Sequence, residues 1–203
     1  MKKAIIVFQK AVVFGKVKTR LAKRIGNAQA LKVYQFLIAY THRQLKEVEA
    51  DIFVYFSGEP DEVFGDNSNY HIRRQCEGDL GLRMATAFGE VFDAGYDQVL
   101  IIGTDCYELN SDILREAFQG FNDADMVIGP AKDGGYYLLG LNKSEPTLFD
   151  GIAWSTASVF PDTMEIAASL GKSVYLLPEL NDVDRYEDLG ELGALLGVKE
   201  KNK

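Results

Sequence analysis

QVLIIGTDC, running from Gln98 to Cys106, is the stretch that decides the fold. Gln98–Ile102 is the most hydrophobic short run in the chain, and a continuous run of that length reads as a buried strand near the centre of a sheet. An acid, Asp105, stands just beyond its carboxyl end. A carboxylate there is costly unless it is paired, binds a metal, or caps the next turn through backbone hydrogen bonds.

Outward from this strand, strand and helix patterns alternate. Upstream, Ala4–Phe8 (AIIVF) reads as another buried strand. From Asn27, a fair N-cap, Leu31, Tyr34, Leu37, Ile38 and Leu45 form one apolar face of a long helix. Ile52–Phe56 is a strand, His71–Gln75 a short one, and Leu82–Ala94 a helix with Met84, Ala87, Phe88 and Val91 inward. Downstream, Ser111 caps a helix through Phe118. Met126–Ile128 and Tyr136–Leu141 are strands, the second after the turn Asp133-Gly134-Gly135. Thr156–Leu170 is helical, Val174–Leu177 a last strand and Tyr186–Leu196 a closing helix. The charged tail 199–203 reads as frayed. Strands separated by helices make βαβ units, so the expected fold is α/β. Residues 1–198 form a single-domain three-layer αβα sandwich with a mostly parallel mixed sheet. Ligands of such sheets sit beyond the carboxyl ends of the strands.

Composition agrees. The chain has 203 residues, 47% hydrophobic and 26% charged, which suits one globular domain and excludes disordered, collagenous and coiled-coil classes. No apolar run approaches the roughly 18 residues of a membrane span, and Gln9 and Lys10 cut the first apolar stretch too short for a signal peptide, so the expected location is cytoplasmic. Cys76 and Cys106 have no metal spacing and read as buried thiols. Charge is uneven. Residues 1–46 hold eleven Lys and Arg and no acid, while the rest holds the other eleven basic residues and all 30 acidic ones, a net of −19. A basic opening on an acidic body fits a small anionic ligand and argues against a nucleic-acid partner.

Each strand end carries a motif. After the first comes QKAVVFGKVKTRL, where Gly15 permits close backbone approach. Lys16, Lys18 and Arg20 would share one side if the piece is extended, a phosphate-gripping loop without a Walker A pattern. Late in the chain, Asn181-Asp182-Val183-Asp184 lets either acid complete a metal site, while Glu187 and Asp188 suit the cap of the next helix. The segment from Gly129 to Tyr136 offers two glycines beside Asp133, a group able to accept a proton or bind a sugar hydroxyl, or else a hairpin turn. Trp154 is either a stacking wall or a core plug. His42 and His71 receive no role.

The order KVKTRL, EGDLGLRM, IGTDC, GPAKDGGYYLLGL, WST and DVD-(x)3-DL over residues 4–189 resembles a family, the small bacterial glycosyltransferases of the GT-A type within the nucleotide-diphospho-sugar transferase superfamily. That resemblance implies roles. Gly15, Lys18, Thr19 and Arg20 would hold nucleotide phosphates, and Gly78, Asp79 and Gly81 would lie by the base. Asp105 and Asp184 would hold Mg2+ or Mn2+. Asp133, Gly134, Gly135 and Tyr136 would face sugar or acceptor; read from the residues themselves, Asp133 is the candidate catalytic base for an inverting reaction and Trp154 a candidate wall of the substrate site. The chain departs from the family pattern at Val12, Phe14 and Tyr107, where prolines are expected, which would loosen both loops. The implied activity is metal-dependent transfer from a nucleotide sugar to a small-molecule acceptor. The alternatives are nucleotidyl transfer from an NTP to a phosphorylated acceptor with release of pyrophosphate, and nucleotide binding without catalysis.

Overall fold

A computed structural model of the chain describes residues 1–59 and 69–201. Among these residues, seven strands form one sheet: β1 (Lys3–Lys10), β2 (Asp51–Ser57), β3 (Tyr70–Arg74), β4 (Gln98–Ile102), β5 (Met126–Pro130), β6 (Tyr136–Leu141) and β7 (Val174–Leu176). Their order across the sheet is β3-β2-β1-β4-β6-β5-β7. All run parallel except β6, which is antiparallel to both its neighbours. β4 therefore lies in the middle, and all five of its residues are buried, as its apolar run predicts.

Among the described residues, six helices accompany the strands: α1 (Thr19–Ile25), α2 (Asn27–Leu45), α3 (Leu80–Asp93), α4 (Ser111–Gly120), α5 (Val159–Ser169) and α6 (Gly190–Leu195), with 3-10 turns at Pro146–Phe149 and Tyr186–Leu189. Side chains alternate across a strand, so β1 feeds two cores. Ile5 and Val7 pack on one face with Leu45, at the end of α2, and with Leu114, Ala117 and Phe118 of α4. Ala4 and Ile6 pack on the other with Met84, Ala87, Phe88 and Val91 of α3 and Ala167 of α5. These are the three expected layers. A separate cluster joins Leu21, Ala22 and Ile25 of α1 to Val33 and Leu37 of α2 and to Val183, Leu189 and Leu192 near the C-terminus. That cluster draws the late acidic segment against α1, which proves decisive for the site.

Several local expectations change. The basic stretch after β1 is not extended. It turns at Val13–Lys16, where the Lys16 N–H donates to the Val13 carbonyl at 3.0 Å, and then enters α1. Asn27 is the first residue of α2 rather than its cap, and Gly26 holds the cap position. Asn110, not Ser111, caps α4: its side chain accepts the Asp112 and Ile113 N–H groups at 3.0 and 3.1 Å. The closing helix is split into the 3-10 turn and α6. Residues 199–201 are tied down rather than frayed. Lys199 N–H donates to Gln29 at 2.9 Å, Lys201 N–H donates to the Arg24 carbonyl at 2.9 Å, and Arg24 pairs with Glu200. Residues 202–203 lie outside the described residues. Cys76 is half-buried, unlike Cys106. His42 has a structural place, with Nε2 2.9 Å from Gln9 Oε1 and Nδ1 3.2 Å from the Tyr70 hydroxyl. Burial, aided by the Lys46 charge, lowers its pKa to about 4, which keeps the imidazole neutral near pH 7.

Candidate functional site

β1 and β4 are adjacent, but the chain leaves them in opposite directions. β1 leads through α1 and α2 to β2 on one side, and β4 leads through α4 toward β5 on the other. Such a switch point opens a crevice beyond the carboxyl ends, where open α/β sheets bind ligands. The loops after β1 and β4 meet there.

Lys18 is the centre of the arrangement. It stands immediately before α1 with left-handed backbone (φ 46°, ψ 45°), uncommon for a residue carrying a Cβ. Its side chain is only 4% exposed, and its ammonium lies 2.8 Å from Asp105 Oδ1 and 3.2 Å from Asp184 Oδ1. The two carboxylates are 44% and 41% exposed. Arg20, on the first turn of α1, reaches the other oxygen of Asp184 at 3.4 Å. Burial pulls the Lys18 pKa down, but Asp105 and Asp184 more than offset that and hold it above its usual value. Lys16 is exposed and makes no ion pair with these acids, so Lys18 and Arg20 converge through a turn and a helix rather than through strand alternation.

Asp184 arrives with a segment that crosses the sheet's carboxyl edge. Leu180 N–H donates to the Pro130 carbonyl at 3.1 Å, and Val183 N–H donates to the Asp105 carbonyl at 2.9 Å. Asp188 then accepts the Asp184 and Arg185 N–H groups at 3.0 and 2.6 Å, the capping role its position suggests. Asp182 pairs with Cys106 in an isolated bridge. Burial, and next the Asp105 charge, push its carboxyl up to about 7. The Cys106 thiol, also raised by burial and by Asp182, is pushed up to about 12. Of the two late acids, it is Asp184 that bonds the lysine.

The other predicted residues form a second group along the same edge. Asp79 is the N-cap of α3, accepting the Leu82 N–H at 2.9 Å. Arg83 donates to the Gly78 carbonyl at 2.9 Å, a tie that motif reading missed. Trp154 lies against Gly81 so closely that a Cβ there would sit 2.5 Å from the indole nitrogen, and it also packs on Phe149. β5 and β6 form a hairpin whose tip is Asp133-Gly134-Gly135, with Asp133 Oδ1 accepting the Gly135 N–H at 3.0 Å. Asp133 is exposed. The Tyr136 hydroxyl is directed at Met84 Sδ at 3.9 Å, and burial raises its pKa. Gly15 and Thr19 flank Lys18, Gly15 in the turn at φ +74° and Thr19 at the start of α1. Among the described residues, no hydrogen bond or ion pair joins Asp79, Gly81 and Trp154 to the lysine-carboxylate group.

Tyr107 packs against α2. Its ring lies 4.7 Å from that of Tyr40 and 5.9 Å from that of Phe36, both on α2. Phe14, in contrast, is 62% exposed. Asp105 and Asp184 are the pair able to share a divalent ion. Among the described residues, no three His, Cys, Asp or Glu side chains are grouped to hold a metal alone. Two carboxylates completed by water and ligand phosphate is the donor set Mg2+ prefers, so these residues fit such an ion.

The fold is that of the nucleotide-diphospho-sugar transferases. An inferred nucleotide-diphospho-sugar transferase from Desulfovibrio desulfuricans G20 is 33% identical, with a TM-score of 0.87 over 95% of this chain and 87% of its own. The family described as "uncharacterized protein conserved in bacteria" (DUF2064) matches residues 37–156, and the chain belongs to it. Two further structures share the fold. The 4-diphosphocytidyl-2C-methyl-D-erythritol synthase of Anaerococcus prevotii DSM 20548 is 10% identical, with a TM-score of 0.64 over 97% of this chain and 96% of its own. The inositol-1-phosphate CTP transferase of T. maritima is 13% identical, with a TM-score of 0.62 over 97% of this chain and 95% of its own. No curated protein matches the sequence. Among the described residues, no helix is long and apolar enough to cross a membrane.

Proposed function

We propose that this protein is a glycosyltransferase that moves a sugar from a nucleoside diphosphate to a small-molecule acceptor, with Mg2+ or Mn2+ at Asp105 and Asp184. The observation that carries this is the buried Lys18 ammonium held between two half-exposed carboxylates at the switch point of the sheet. The description of the 33% identical relative supports the donor class. As the sugar–oxygen bond breaks, negative charge grows on the leaving diphosphate. Lys18 and Arg20 stabilise it, with Gly15 in the preceding turn and Thr19 at the start of α1 beside them. A bound divalent ion supplies further charge neutralisation. Gly78, Asp79 and Gly81 border the base, with Asp79 doubling as a helix cap. Asp133, exposed at the hairpin tip, takes the proton of the attacking acceptor hydroxyl, beside Gly134, Gly135, Tyr136 and Trp154.

A second reading, nucleotidyl transfer, is favoured by the fold shared with the two cytidylyl-transferring enzymes. The same cations suit a triphosphate. The products decide between them. Incubated with Mn2+ and a panel of nucleotide sugars, with water or an added hydroxyl compound taking the sugar, the protein is expected to release a nucleoside diphosphate and no pyrophosphate, and EDTA is expected to stop the release. Pyrophosphate formed from an NTP overturns the first reading in favour of the second. Binding without any product returns the chain to a non-catalytic role.

A further inference from the structure

The carboxyl edge of the sheet holds a cation already. Among the described residues, Lys18 is the only basic group that bonds Asp105, and it shares Asp184 with Arg20. Its single ammonium bridges one oxygen from each carboxylate, and its side chain is almost fully enclosed, whereas both carboxylates keep more than a third of their surface open. The acids are therefore reachable from the crevice while the charge that satisfies them comes from beneath. The lysine is not free to drift. Val17 before it is buried, and its own carbonyl accepts the Ala22 N–H at 2.8 Å, which anchors the left-handed backbone at the start of α1.

We infer that the Lys18 ammonium is the ligand-free protein's stand-in for the divalent cation, so that lysine and metal compete for the Asp105–Asp184 pair and the metal enters only as the lysine is drawn onto a phosphate. This rests on the proposed metal-nucleotide site and adds an order of events to it. A buried charge cannot be left uncompensated, so the ammonium leaves the carboxylates only for another anion. Coupling between two ligands is reciprocal, and the lysine's hold on the pair lowers metal affinity by the factor that metal lowers the lysine's hold. A nucleoside diphosphate supplies the second anion, which makes metal and nucleotide binding mutually dependent. Free metal then stays off an unloaded site.

The test uses Mn2+ alone, without nucleotide, read by electron paramagnetic resonance, beside inorganic pyrophosphate titrated without metal. K18M is expected to bind Mn2+ at least tenfold more tightly than the wild type and pyrophosphate at least tenfold more weakly. K18R, which keeps the charge, is expected to stay weak for Mn2+. A lysine that only shapes the loop would not tighten metal binding when removed. K18M binding Mn2+ no better than the wild type overturns the inference. Should K18M not fold, K18Q gives the same comparison. Failure of the proposed function looks different: no nucleoside diphosphate binds the wild type, while the K18M and Mn2+ comparison still reads out on its own.

Discussion

Asp105→Asn is expected to abolish the metal dependence of nucleotide binding and to lower turnover by on the order of 10³-fold. The amide keeps the shape of the side chain and removes its charge, so any divalent ion loses one of its two protein carboxylates. Lys18 keeps Asp184 as a partner, and the bond from Val183 N–H uses the Asp105 main-chain carbonyl and is untouched. Because the Asp105 carboxylate is 44% exposed, the stability cost is held to about 1 kcal/mol. Calorimetric binding with and without Mn2+, beside a melting curve, checks both halves. A variant that still responds to Mn2+ as the wild type does would remove Asp105 from the metal site.

Gly134→Ala is expected to be the most destabilising single methyl addition near the crevice. Gly134 has φ +91°, and an added Cβ would lie 2.3 Å from the Ala157 carbonyl oxygen and 2.6 Å from its Cα, both main-chain atoms. Neither segment can move aside cheaply, because Phe160 N–H donates to the Gly134 carbonyl at 2.8 Å. Strained backbone and the clash together cost about 3 kcal/mol, or roughly 6–12 °C in melting temperature for a chain of this size. Gly135→Ala is the control. Its Cβ would meet only the Asp133 side chain, at 3.2 Å, and little loss is expected. Equal melting temperatures for the two variants would contradict the packing described for the hairpin tip.

Much of the fold is legible in the sequence because buried parallel strands are written as uninterrupted apolar runs. Gln98–Ile102 and Tyr136–Leu141 have the expected limits, and the aspartate-glycine-glycine turn is the hairpin tip it suggests. α1 is not legible in the same way. It has seven residues, no acid in its first turn and a lysine at its cap position that makes no side-chain cap bond, so a crowd of cations masks it as loop. The signal that remains is the spacing of Val17, Leu21, Ala22 and Ile25, all buried, which is helical. The site divides similarly. Strand ends pointed to Lys18, Asp105 and Asp184 one by one, but no spacing says that an ammonium and two acids more than 70 residues apart share one point. That meeting is made by the cluster of Val183, Leu189 and Leu192 against α1, a long-range packing event. Tyr107 shows another long-range event: where the family has proline, its ring packs on Phe36 and Tyr40 of α2, a contact that no local spacing announces.

The most direct measurement is a calorimetric titration of the wild-type protein with nucleoside diphosphates of each base, in Mn2+ and again in EDTA. At least one is expected to bind, and to bind tenfold or more tightly with Mn2+. If none binds, or if EDTA makes no difference, Lys18, Asp105 and Asp184 are a structural ion cluster and the proposed metal-nucleotide site is wrong.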